Sequence, residues 1–283
     1  MSRLELLVRD LAFPEGPRWH DNKLWFSDIH ARTVMTVDLH GKLETIVDVP
    51  GRPSGLGWLP DGSLLIVSMN DRCLYRWVDG QLLLHADLSG FTEFPINDMC
   101  VDSQGRAYVG GFGFDFFNSA DFHVADLYRI DLDGSVHIAA SGLAMPNGTV
   151  ITPDGKTLII AEPYRVKLTA YEIAEDGELS NRSTFARFNG ASPDGICLDA
   201  EGAVWAASPF GNKVLRVNGQ GEVLDTIETE QKAVAVALGG DDGKRLFVAS
   251  FEEMYEKEAL EQRTGRIEVA RVDVPGATLS SLS

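Results

Sequence analysis

Met145-Pro146-Asn147-Gly148 opens a short apolar run, Pro153-Asp154-Gly155 turns it, and Leu158-Ile159-Ile160 carries the chain back. The same order of parts recurs along the 283 residues. Its entries are Phe13-Pro14-Glu15-Gly16, Arg52-Pro53-Ser54-Gly55, Pro95-Ile96-Asn97-Asp98, the quoted one, Ser192-Pro193-Asp194-Gly195 and a degenerate Ala233-Val234-Ala235-Val236. The turns include Pro60-Asp61-Gly62, Ser103-Gln104-Gly105, Ala200-Glu201-Gly202 and Asp241-Asp242-Gly243, the composition that tight hairpins need for positive φ. Behind them come Leu64-Leu65-Ile66-Val67, Ala107-Tyr108-Val109, Val204-Trp205-Ala206 and Leu246-Phe247-Val248, and a third run alternates apolar with polar, as in Lys213-Val214-Leu215-Arg216-Val217.

Six units of about 40 to 50 residues, each with several short strands, predict an all-β six-bladed β-propeller with a central metal site. The repeat runs without a linker, so residues 1–283 are read as one domain. The strand Leu4 to Val8 is expected to complete the last blade beside Arg266 to Val272, which removes an exposed edge. Two segments break the period. Gly110 to Ala125 is rich in phenylalanine and reads equally as blade packing or as a lid, and Glu252 to Arg263 is charged and reads as a short helix or a mobile loop.

Composition narrows the function. A net charge of −17 repels a phosphate backbone, which argues against nucleic acid. No apolar run approaches the roughly 18 residues of a membrane helix. The N-terminal stretch mixes acid and base into its apolar residues, unlike a secretory signal, so a cytoplasmic location is expected. The cysteines Cys73, Cys100 and Cys197 are widely spaced without a CxxC pair, and the six histidines form no HxH or HExxH pattern. No protein partner is evident.

In a propeller the first residues of the innermost strands meet at one mouth of the channel. The six units place Glu15, Ser54, Asn97, Asn147, Asp194 and Ala235 there. Each Asp, Asn or Glu beside Pro and Gly also reads as an ordinary turn residue. A turn, however, has no reason to choose among Glu, Asn and Asp by blade. Two carboxylates and two amides at one place supply the oxygen donors that hard cations prefer, and the two charges balance a divalent ion. The metal ligands are therefore read as Glu15, Asn97, Asn147 and Asp194. The cofactor is one divalent cation, calcium first, with zinc, magnesium or manganese as alternatives.

The entry Phe13-Pro14-Glu15-Gly16-Pro17-Arg18-Trp19, the run Ile96-Asn97-Asp98, Pro146-Asn147-Gly148 with Pro153-Asp154-Gly155-Lys156-Thr157-Leu158, and Pro193-Asp194-Gly195-Ile196-Cys197-Leu198-Asp199 resemble the senescence marker protein, gluconolactonase and luciferin-regenerating enzyme family. The resemblance spans about Leu4 to Pro275. It implies a catalytic divalent metal on Glu15, Asn147 and Asp194, with Asn97 as a further ligand or substrate contact and Asp194 as general base. Hydrolysis of a lactone or ester follows, through a polarised carbonyl and an activated water. A phosphotriester or fluorophosphate hydrolase and a non-catalytic calcium- or ligand-binding propeller stand beside it as alternatives. Sugar-lactonase members carry an Arg two residues before the Asn-Asp pair and a Gly after it; here Pro95 and Met99 stand in those places. Loss of a guanidinium removes a multidentate clamp for hydroxyls. A less polar lactone is expected, with Asn97, Pro95, Met99 and Phe114 as substrate contacts and Phe94, Phe112, Phe116 and Phe117 near the mouth.

Overall fold

The Asp-Gly turns close antiparallel hairpins, and the computed structural model, which describes residues 4–118 and 120–277, assembles them into six four-stranded sheets. In the fourth sheet Thr149–Ile151 pairs with Thr157–Glu162, then Lys167–Ile173, then Leu179–Arg187. Burial falls from the inside outward. The second strand Leu64–Ser68 is buried at every residue, whereas the fourth strand Gln81–Asp87 of the same blade is largely exposed. The apolar second strands thus form the midline of each blade. Side chains of adjacent blades interlock between sheets, as where Tyr108 and Leu127 of the third blade meet Leu158 and Ile160 of the fourth. Trp205 is buried in the same way between the fifth and sixth.

The architecture is the expected all-β six-bladed propeller. Strand Leu4–Leu11 pairs antiparallel with Gly265–Arg271, so the chain's first described strand is the outermost strand of its last blade. The charged segment after Phe251 forms the short helix Glu256–Gln262. Among the described residues no helix is long and apolar enough to cross a membrane.

The inner strands run close together around the axis. A Cβ on Gly16 would lie 2.5 Å from the Ser54 carbonyl oxygen of the next blade, and one on Gly55 would lie 2.4 Å from the Met99 nitrogen. Gly148 faces the Asp194 oxygen and the Ile196 nitrogen at 2.5 Å, and Gly195 faces Ala235. These glycines let backbone touch backbone. The sixth blade corrects the register of the sequence reading: Ala233 pairs with Ser250 as Pro14 pairs with Asp28, and the residue that follows is Val234, not Ala235. A bulge between Ala233 and Ala235 shifts the count by one.

Gly148→Ala tests the contact. The added methyl has no space without moving the fifth inner strand, so stability falls by about 2 kcal/mol, read as a lower urea midpoint at unchanged slope. A variant as stable as wild type would show slack between the inner strands.

Candidate active site

Two rings, one polar and one apolar, make the site. The polar ring is the floor, where Glu15, Asn97, Asn147, Asp194 and Val234 line a cavity of about 450 Å³. Ser54, the remaining member, is buried and donates its hydroxyl to Asn97 Oδ1 at 2.8 Å. That bond fixes the Asn97 amide. Bulges start at the floor position in the first blade and enclose it in the second, third and sixth. They break the two-residue alternation and turn the floor side chains toward the axis.

The apolar ring is the wall. One residue beyond the second-strand positions Asp28, Ser68, Gly111, Glu162, Ser208 and Ser250 come Ile29, Met69, Phe112, Pro163, Pro209 and Phe251, and all six line the cavity. The positions just before them brace the loops that lead into the floor. Asp28 accepts the N–H groups of Ala12 (2.9 Å) and Phe13 (2.8 Å), Glu162 that of Ala144 (2.8 Å), and Ser208 Oγ that of Ser192 (3.0 Å).

The floor is electrostatically strained without a cation. Burial, then the facing carboxylates of Asp194 and Asp98, push Glu15 well above the usual carboxylate range, although the Gly16 N–H and Arg18 oppose this. Burial and Asp98 raise Asp194 to about 8. Asn147 Oδ1 and Asp194 Oδ1 are buried and have no hydrogen-bond partner among the described residues. Buried acceptors in native proteins are nearly always satisfied. Two orphaned oxygens, one of them on the Asp194 carboxylate, beside the carboxylate of Glu15 fit a hard cation, with all donors oxygen. Among the described residues no group of three or more His, Cys, Asp or Glu is placed to hold a metal ion, so any cation here would rest on Asn amide oxygen as well as on Glu15 and Asp194.

The proposed substrate contacts divide. Asn97 lines the cavity; Met99 and Phe114 do not. Met99 is 0% exposed and packs in the core, because the bulge between Ile96 and Met99 flips the face that simple alternation from Asn97 would give it. Phe114 is buried one layer behind the wall, against Phe116 and Tyr164. Pro95 and Phe94 lie off the cavity as well, whereas Phe112 and Phe116 line it. The Phe117 side chain lies outside the described residues. The aromatic insertion is therefore both wall and packing. Sequence reasoning placed Phe112 near the mouth but missed the other five wall residues, Tyr164 and Phe210, and also Met254 from the charged segment. The wall had a usable signal, since its six members share one repeat position.

The fold and this site define a propeller of the lactonase class. The chain belongs to the SMP-30/Gluconolactonase/LRE-like family, whose description matches residues 13–252. It is 28% identical to a 6-deoxy-6-sulfogluconolactonase of Pseudomonas putida over 93% of this chain and 92% of that protein. It is 29% identical to a pentonolactonase of Haloferax volcanii over 83% and 80%. A solved gluconolactonase from Xanthomonas campestris superimposes with a TM-score of 0.77 at 25% identity, covering 95% of this chain and 89% of that one.

Glu162 supplies a pH test of the bracing layer. Burial by itself would raise its pKa, but bonds from Thr169 and the Ala144 N–H together with the Lys167 cation hold it at about 2. Arg165 and Arg182 add contacts at 2.9 and 3.1 Å. A depressed carboxylate stabilises the fold above its unfolded value, near pH 4.5, and loses that contribution as pH falls toward 2. Glu162→Gln should lower stability at pH 7 by about 3 kcal/mol. The gap to wild type should close below pH 4.5 in urea titrations. A gap independent of pH would assign the loss to shape instead of charge.

Proposed function

We propose that the chain is a divalent-cation-dependent lactonase that opens a ring less polar than a sugar lactone, with Asp194 as general base. The observation that carries this reading is the pair of buried, unpartnered oxygens, Asn147 Oδ1 and Asp194 Oδ1, at the floor of an apolar cavity. Glu15, Asn147 and Asp194 would hold the cation, with Asn97 beside them. Calcium suits a set of oxygens containing two charges and a neutral amide. When bound, the cation supplies Lewis-acid polarisation of the lactone carbonyl.

The chain's own groups do the rest. Asp194 takes a proton from the attacking water and returns it to the ring oxygen, which leaves as a hydroxyl while the carbonyl carbon becomes a carboxylic acid. Asn97, whose Oδ1 is engaged by Ser54, has its amide N–H groups left to donate to a substrate oxygen. The wall ring sheds water around the reacting carbonyl. It also selects. Every sugar hydroxyl laid against Ile29, Met69, Phe112, Pro163, Pro209 or Phe251 would give up water without a replacement partner, at a cost of about 1–3 kcal/mol each. The relatives named for sugar lactones support the reaction, and the wall separates the substrate.

Stripping the protein with a chelator should abolish hydrolysis across a lactone panel, and calcium should restore it. Calcium at about 100 times its dissociation constant should stabilise the wild type by about 2.7 kcal/mol. Asp194→Asn should keep cooperative unfolding, lose most of that calcium response, and drop kcat by a factor on the order of 100 or more. Full activity in Asp194→Asn removes the base assignment. Organophosphates cleaved faster than lactones, or calcium binding without any ester hydrolysis, would replace the lactonase reading.

A further inference from the structure

The first, second, fourth and fifth blades make the same short turn between their second and third strands, and each turn ends on a residue in the left-handed region. Those residues are Arg32 (φ 61), Arg72 (φ 56), Val166 (φ 54) and Asn212 (φ 44). Only the wall residues Ile29 and Met69 of the first two turns reach the cavity. His30, which follows Ile29, is buried with its Nε2 2.9 Å from the Met254 carbonyl oxygen. The fourth and fifth turns behave differently. Pro163-Tyr164-Arg165-Val166 adds Tyr164 and Val166 to the lining, and Pro209-Phe210-Gly211-Asn212 adds Phe210. A proline opens each of these two 3-10 turns and stiffens it.

The side chains there are set out in an unusual way. Tyr164 is 48% and Phe210 76% exposed, although large aromatics are mostly buried. Tyr164 is braced from behind by Phe122, stacked at 4.9 Å and 12°, and by Phe114 edge-on at 5.4 Å and 79°. Arg165 is turned away, with its guanidinium on Glu162 at 2.9 Å and on the Gly142 carbonyl oxygen at 2.8 Å. Val166 is a β-branched residue at positive φ, a conformation that its counterpart Asn212 adopts readily. Strain of this kind persists where the surroundings require the side chain. Among the described residues no Lys, Arg or His lines the cavity, so an anionic substituent would find no counter-ion there.

We propose that Tyr164, Val166 and Phe210 form an apolar ledge on one side of the mouth that binds a hydrocarbon substituent on the lactone ring. The substrate is then a lactone carrying an alkyl or aryl group, with its carbonyl on the polar floor and its substituent across the fourth and fifth blades. This rests on the lactonase reading and names the substrate class of the same site.

The test measures kcat/KM of the calcium-loaded full chain on unsubstituted δ-valerolactone, its heptyl- and phenyl-substituted forms, and glucono-δ-lactone. Wild type should prefer the substituted rings by roughly tenfold or more over the unsubstituted one. Phe210→Ala and Tyr164→Ala should each remove most of that preference, about five- to tenfold, while the unsubstituted ring stays within about twofold of wild type. Val166→Asn should narrow the preference and raise the melting temperature by about 2 to 4 °C as backbone strain is relieved. Equal rates on substituted and unsubstituted rings, or uniform losses in the variants, overturn the ledge. Faster opening of glucono-δ-lactone overturns the ledge together with the less polar substrate, and leaves the cation-dependent lactone hydrolysis standing. Hydrolysis of none of the four overturns both.

Discussion

Backbone contact between neighbouring inner strands is the constraint on which the site depends. Gly16, Gly55, Gly148 and Gly195 each sit where a side chain would collide with the next blade. The strands consequently close to a narrow channel, and floor residues far apart in sequence become neighbours. A floor built from Glu15, Asn97, Asn147 and Asp194 exists only because each blade contributes one position at the same height. The third blade departs from the glycine pattern with Asp98, and the sixth with Ala235.

The floor and wall are adjacent rings with opposite chemistry, and each makes the other effective. Apolar side chains over the floor keep water from the two carboxylates, which is why burial is the first cause of the raised pKa at both Glu15 and Asp194. A carboxylate that is poorly solvated gains more from a cation than one in water, since the Coulomb term grows as the local dielectric falls. The same wall denies hydrogen bonds to a polyhydroxylated ring. In the proposed reaction, affinity for the ion and preference for the substrate would have one structural source, the wall residues that follow the second strands.

The propeller and the floor were legible because both are properties of repeat position, and a repeat can be aligned with itself. Glu15, Asn97, Asn147 and Asp194 could be picked out without knowing where any side chain points. The sixth floor residue was misplaced by one because its entry has neither Pro nor Gly to mark the phase, and Val234 resembles its neighbours. Met99 was misjudged for a physical reason: a bulge reverses the inward face of a strand and leaves no trace in the residue types. Phe114 lies in an insertion with no periodicity, where only packing decides which phenylalanine faces the cavity. The wall ring sat in plain register, yet Ile, Met, Phe and Pro at one position read as core. Its exposure to a cavity is a tertiary fact.

Asp98 bears on how a channel with three carboxylates would stay matched to the proposed divalent ion. Arg18, three residues beyond Glu15 on the first inner strand, reaches the third blade and donates to Asp98 Oδ1 at 2.8 Å and to the Met99 carbonyl oxygen at 2.7 Å. Burial raises Asp98, and Arg18 works against that rise, so the guanidinium offsets the charge of the Asp98 carboxylate. Glu15 and Asp194 are left as the two charges that face the cavity. An unpaired third carboxylate would add to the repulsion already felt at both, and a buried charge without a partner is among the costliest features a fold can carry. The guanidinium absent from the substrate side of the site is therefore present on the far side, where it balances the floor and leaves the cavity apolar.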